Sequence, residues 1–193
     1  GGTIYGLDGN DVIAGGIGSD TIDGGAGDDV INDAGSGATN TLSGGAGNDN
    51  ITFSAIASNT IDGGSGNDLI KVDDSTAGSG YYANTIAGGA GNDTIIGDAS
   101  YDTYQFNRGD GQDTIVDYGT STNGYIGTDT IAFGAGIALT DITASRVNFD
   151  LVIKVNDPNN AAAMDQITIS NWYSDDTYRI ESFTFADGNI IYK

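Results

Sequence analysis

Carboxylates and glycine carbonyls recur together in this chain at fixed spacing. The block GGAGND stands at 44–49 and again at 88–93, with GGAGDD at 24–29 and GGSGND at 63–68. Each block ends a glycine-rich turn with an aspartate. Glycine admits positive φ and lets backbone carbonyls converge, while aspartate brings charge to the same place. Oxygen donors of this kind suit calcium, which takes about six to eight hard oxygens at flexible geometry, better than magnesium with its tight octahedron and retained waters. The chain has no histidine and no cysteine. That removes the usual zinc and copper ligands, any thiolate site and any disulfide framework.

The charge balance points the same way. Acidic residues number 27, all aspartate except Glu181, against 6 basic ones, for a net charge of −21, and 32 residues are glycine. Self-repulsion and backbone entropy both oppose compaction of such a chain, so bound divalent cations are the expected counter-charge. Nucleic acid and anionic membrane are excluded as partners, being polyanions with no basic patch to meet them. No apolar run is long enough to span a bilayer and no signal peptide is visible, so a soluble piece of a larger protein is expected. Catalysis is not expected. There is no G-x-S-x-G elbow or P-loop, and a carboxylate pair picked from so many aspartates would be arbitrary.

The elements that must hold these turns are short strands. Between residues 6 and 32 three nine-residue units run without a gap, GLDGNDVIA, GGIGSDTID and GGAGDDVIN. A period of this kind signals a solenoid. Valine, isoleucine and threonine flank each turn, with an apolar residue at each strand centre: Ile4, Ile13, Ile22, Ile31, Leu42, Ile51, Ile61, Ile70, Ile86, Ile95, Tyr104 and Ile115. These should stack as an internal column. Beyond about 118 the unit fades into longer alternating strands with many aromatics, including Phe133, Phe149, Trp172, Tyr173, Tyr178, Phe183, Phe185 and Tyr192. A hydrophobic core sealing the open end of the solenoid is the expected use of these side chains.

The pattern G-G-x-G-x-D-x-U-x resembles the calcium-binding nonapeptide of the RTX (repeats-in-toxin, haemolysin-type) family, and the resemblance runs from residue 1 to about 117. RGDGQDTIVD at 108–117, FDLVIKV at 149–155 and DQITISNWY at 165–173 resemble the non-repetitive domain that follows such repeats in secreted adhesins and toxins. The resemblance implies an all-β fold: a right-handed parallel β-roll over 1–117 with an antiparallel β cap over 118–193.

In such a roll two nonapeptides make one coil, so every second turn stacks on the same edge. One edge then takes six turns ending in Asp11, Asp29, Asp49, Asp68, Asp93 and Asp113, which enclose five gaps. The family pattern implies that carbonyls at turn positions two and four join the aspartate on one ion, while positions one, three and six of the next turn complete it. The implied donors are Leu7, Gly9 and Asp11; Gly24, Gly25, Ala26, Gly27 and Asp29; Gly44, Gly45, Ala46, Gly47 and Asp49. They continue with Gly63, Gly64, Ser65, Gly66 and Asp68; Gly88, Gly89, Ala90, Gly91 and Asp93; and Arg108, Asp110 and Asp113. Leu7 and Arg108 replace glycine but would give only backbone oxygen. This assigns Arg108-Gly109-Asp110 to a structural turn and not to an integrin ligand.

The opposite edge takes 15–20, three degenerate segments ending in Asn40, Asn59 and Asn84, then 97–102 and GYIGTD at 124–129. All three length irregularities fall in those degenerate segments. A one-sided calcium ladder is therefore expected, with a further site where Asp102 and Asp129 face each other and a weaker candidate near Asp20. In all this makes about five or six ions, at the roughly 0.1–1 mM affinities of extracellular modules.

The resemblance implies a module that leaves the cell unfolded through the type I secretion machinery, as part of a parent toxin, adhesin, lipase or protease. It would fold outside or at the cell surface as calcium binds. An adhesive or glycan-binding module using Trp172, Tyr82 or the insertion at 72–83 is the alternative.

Overall fold

In the computed structural model, residues 1–33, 38–54, 56–73, 82–118, 127–160 and 162–193 are described. Most of the insertion at 72–83 and the first half of the turn at 124–129 lie outside the described residues. Two nine-stranded sheets face each other. The first runs β1 (Thr3–Asp8), β3 (Thr21–Ala26), β5 (Thr41–Ala46), β7 (Thr60–Ser65), β9 (Thr85–Ala90), β11 (Thr103–Phe106), β13 (Thr130–Phe133), β17 (Ser182–Thr184) and β18 (Ile190–Tyr192). The second runs β2 (Val12–Ala14), β4 (Val30–Asp33), β6 (Asn50–Ser54), β8 (Leu69–Asp73), β10 (Thr94–Ile96), β12 (Gln112–Val116), β16 (Gln166–Ile169), β15 (Asp150–Val155) and β14 (Ile142–Val147). The chain crosses between sheets after each strand of the repeat. This is the parallel β-roll that the nonapeptide implied.

Register is fixed by one apolar residue per strand. Ile22, Leu42, Ile61, Ile86, Tyr104 and Ile131 pair in sequence along the first sheet. Ile13, Ile31, Ile51, Ile70, Ile95, Ile115 and Ile169 do so along the second. All of these are buried, most of them at 3% exposure or less. Each buried isoleucine contributes about 1.5–3 kcal/mol relative to leaving it exposed, and a one-residue slip would turn the whole row outward. Ile4 of the first coil is only partly buried, since β1 has a neighbour on one side only.

Parallel stacking continues past residue 117. β13 pairs with β11, β16 with β12 and β17 with β13, all parallel. Antiparallel pairing begins where β15 meets β16 and β18 meets β17. The C-terminal segment therefore extends both sheets of the roll. Phe133, Trp172, Phe183 and Phe185 are buried there, with Phe133 stacked on Phe185 at 4.9 Å and Trp172 tilted against Phe183 at 6.0 Å. Phe149 and Tyr192 remain exposed.

Candidate metal centres

The turns joining the first sheet to the second form one edge, and their aspartates make a continuous ladder. The backbone N–H of Asp11 donates to Oδ1 of Asp29, that of Asp29 to Asp49, that of Asp49 to Asp68 and that of Asp68 to Asp93, each at 2.8 Å. Asp93 completes the series with Asp113 at 3.0 Å. From Asp29 to Asp113 one carboxylate oxygen per rung is thus used to hold the stack. The other, Oδ2 of Asp11, Asp29, Asp49, Asp68 and Asp93, is buried and has no hydrogen-bond partner. Five orphaned anionic oxygens in a row are costly unless a cation meets them.

Glycine at the first turn position makes the room. A Cβ on Gly24 would press on both Asp29 Oδ2 and the Gly44 carbonyl, one on Gly44 on both Asp49 Oδ2 and the Gly63 carbonyl, and one on Gly63 on both Asp68 Oδ2 and the Gly88 carbonyl. Rung carboxylate and next-coil carbonyl therefore converge on the same space, as the family pattern implies for positions six and one. The second turn position needs glycine for a different reason. Gly25, Gly45, Gly64 and Gly89 have φ between +94° and +108°, and a Cβ would strike the carbonyl of the coil before. Leu7 takes that position in the first turn with φ +80°, a strained conformation for a branched side chain.

Burial, opposed by the backbone N–H each carboxylate accepts and reinforced by neighbouring aspartates, raises Asp49 and Asp93 above the ordinary range and pushes Asp68 to about 7 and Asp113 to about 8. Asp110, third in the last turn, is raised by burial too. Its Oδ2 accepts from Asn107 N–H at 2.6 Å. Arg108 contributes more than the expected backbone oxygen: its guanidinium pairs with Asp141 Oδ2 at 2.6 Å and bonds the carbonyls of Gly136 and Asn156. Gly109 N–H donates to Asp165 Oδ2 at 2.9 Å. Arg-Gly-Asp is committed to internal contacts.

The opposite edge repeats the ladder with amides in its middle. Asp20 N–H donates to Asn40 Oδ1, Asn40 to Asn59 and Asn59 to Asn84, at 2.9–3.0 Å. Asn59 Nδ2, which stands where the orphaned oxygen stands on the first edge, donates to the carbonyls of Ser54 and Ala57 and to Asn84 Oδ1. Asn84 Nδ2 donates to Ser100 Oγ and Asp102 Oδ1. At Asn59 and Asn84 an NH2 group thus supplies what a cation would supply opposite, whereas Asn40 Nδ2 is buried without a hydrogen-bond partner among the described residues.

At the C-terminal end of this edge carboxylates return. Asp102 N–H donates to Asp129 Oδ1 at 2.8 Å, which places the two residues together as their spacing suggested. Asp117 and Asp98 join them, and neither was singled out from the sequence. Asp102, Asp117 and Asp129 each bring a carboxylate oxygen to within 4.8 Å of the others, and all three are buried. Burial first, and then repulsion among the aspartates, raises each of them. The Tyr104 hydroxyl donates to Asp117 Oδ1 at 2.8 Å. A second row of side chains was also missed. It lies outside the aspartate ladder, where Asn10, Asp28, Asn48, Asn67 and Asn92 each accept a backbone N–H from the next turn. The signal was the Asn or Asp that fills the fifth turn position in five of the six turns.

Comparison with known proteins agrees with this geometry. Residues 2–32, 34–52, 57–74 and 79–115 match the RTX calcium-binding nonapeptide repeat, together more than half of the chain. Residues 150–191 match the haemolysin-type calcium binding protein related domain. A stretch of 92 residues, 46% of the chain, is 34% identical to the iron-regulated protein FrpA of Neisseria meningitidis serogroup C and spans 8% of that protein's length. Alignment with the extracellular lipase LipA of Serratia marcescens covers 87% of this chain and 37% of the lipase, at 21% identity and a TM-score of 0.32.

Proposed function

From the premise that the chain belongs to the RTX calcium-binding nonapeptide repeat family, we propose that it is a calcium-driven folding module of a secreted bacterial protein, with a ladder of five ions along its first edge. The observation that carries this reading is the row of orphaned Oδ2 atoms on Asp11, Asp29, Asp49, Asp68 and Asp93. Each faces a glycine-made gap, and calcium accepts such a mixed set of carboxylates and carbonyls. The inner rungs, Asp29 to Asp93, each border two gaps, so filling one gap favours the next.

A site that does not exist in the unfolded chain converts binding energy into folding energy. The chain would stay unfolded in a calcium-poor cytosol, pass out through a type I secretion machinery as part of its parent protein, and fold outside the cell. The glycan-binding alternative would have to rest on rings other than Trp172, which is 9% exposed, such as Tyr82 or the exposed Phe149, Tyr173 and Tyr192. The test is a calcium titration of the metal-free chain, with ions counted by calorimetry and folding followed by far-UV circular dichroism. Cooperative gain of β signal with at least five ions per chain is expected at mildly alkaline pH; a β-rich spectrum in excess chelator at that pH overturns the reading.

A further inference from the structure

Both sheets are nine strands deep, and at the C-terminal end their last strands, β18 and β14, have a neighbour on one side only among the described residues. Between the two sheets at this end lies a groove of about 140 Å³ with apolar walls. Phe133, Phe183, Phe185 and Ile191 line it from the first sheet, and Ile142 and Leu151 from the second. Soluble proteins blunt a free strand edge with charge, proline or a bulge. β18 has none of these: it reads Ile190-Ile191-Tyr192, exposed at 51%, 38% and 73%.

The free side of β18 carries its donors and acceptors in a self-complementary order. Phe185 N–H donates to the Asn189 carbonyl and Lys193 N–H to that of Glu181. By the alternation of an antiparallel ladder, residues 189, 191 and 193 face β17, while Ile190 and Tyr192 turn their N–H and C=O groups outward. A second β18 running antiparallel, related by a two-fold axis through Ile191, sets Ile190 opposite the partner's Tyr192 and Ile191 opposite its own equivalent. Every outward N–H then meets a carbonyl. The side chains agree with the backbone. Ile191 pairs with Phe183 on the groove side, so two Ile191 side chains meet over the grooves, and Ile190 lies beside the partner's Tyr192 on the outer face as an aliphatic–aromatic cross-strand pair.

Charge decides which end of the roll can meet its like. Residues 118–193 carry nine acidic and four basic side chains, against eighteen and two in residues 1–117, and beside β18 Glu181 is already paired with Lys193. Two N-terminal ends would instead bring together the unpartnered carboxylate oxygens of Asp11 and Asp20, at a cost in like-charge repulsion. We propose that the folded chain forms a two-fold dimer through its C-terminal end, in which β18 pairs antiparallel with the β18 of a second copy about Ile191. The first sheet of each copy then continues into that of the other, and the apolar groove is shut. The interface needs the folded roll and no particular number of ions, so calcium binding and dimerisation can fail independently.

Sedimentation equilibrium of the full chain in saturating calcium is the test: twice the mass of one chain is expected, falling to that of one chain on dilution. Tyr192→Pro removes an N–H that faces away from β17, so the β spectrum should be kept. The concentration for half-dimerisation should rise at least about tenfold, two hydrogen bonds being lost per dimer. Cysteine on β18 reads the register, since the chain has none of its own. Mild oxidation should capture Ile191→Cys as a disulfide-linked dimer, because facing residues of a non-hydrogen-bonded pair stand about 4.5 Å apart at Cα. Ile190→Cys should stay uncrosslinked, its equivalents lying about 7–8 Å apart. Equal crosslinking of both variants overturns the two-fold register. A monomer at every concentration overturns the dimer, and uptake of an apolar dye by that monomer would assign the groove to a small ligand instead.

Discussion

The two edges of the roll carry the same rung in different chemistry. On each, a backbone N–H donates to a side-chain Oδ1 one coil on, so the stacking geometry is common to Asp49 and Asn59. The difference lies in the second atom of the side chain. In Asp49 it is an oxygen with nothing to meet it; in Asn59 it is an NH2 that reaches two carbonyls and a third oxygen. An amide rung can therefore meet its neighbours from within, whereas a carboxylate rung needs a cation to do so. The carboxylate edge keeps a constant turn, while the amide edge accommodates insertions, and the irregular segments 33–43, 53–62 and 72–87 all lie on it.

The sharpest way to break this comparison is to exchange the rungs. Asn59→Asp buries a carboxylate where the donors have gone, and should destabilise the calcium-loaded chain by about 3 kcal/mol. Chemical denaturation in calcium measures it. A variant of wild-type stability that binds an extra ion would show that the edges are interchangeable. The reverse exchange is milder. Asp68→Asn removes charge from two gaps at once, and should raise the calcium concentration for half-folding about tenfold, equivalent to about 1.4 kcal/mol, with loss of at least one ion. An unshifted midpoint would remove Asp68 from the ladder.

The smallest effect is one of pH. Burial holds Asp68 at about 7 and Asp113 at about 8 in the metal-free fold, above the value of 3.8 they start from. The folded chain then binds more protons than the unfolded one, so the contribution is full below about pH 4 and is lost as pH rises through about 7 to 8. In chelator, lowering the pH from about 8 to about 5 should partly restore β signal. In saturating calcium the signal should stay flat across the same range, and a chelated chain indifferent to pH would contradict the burial of these carboxylates.

Much of this was legible in the sequence because the repeat writes the same physics many times. Ile13 through Ile115 announce the column by position alone, and the aspartate ending each turn announces the rung. Asp117 was not legible as a neighbour of Asp102 and Asp129. It lies outside the turn pattern, and only the stacking of coils brings its carboxylate against Gly97 and into that group. The side-chain clamp of Arg108 on Asp141 was equally hidden, because it joins residues 33 apart in a region without periodicity. Nor does the fading of the nonapeptide near 117 mark the change of strand direction, since β13, β16 and β17 keep parallel neighbours without it.

The rung hydrogen bonds are only one of two rows that tie coil to coil. Every rung from Asp11 to Asp93 gives its N–H to the coil that follows it in the chain, and Asp129 gives its own to Glu181. The outer row of Asn and Asp runs the other way, each side chain accepting from the coil after it, so neighbouring coils are stapled by donors from both sides. An inner coil therefore holds two neighbours and a terminal coil one, which makes the open N-terminal end the place where such a stack frays first.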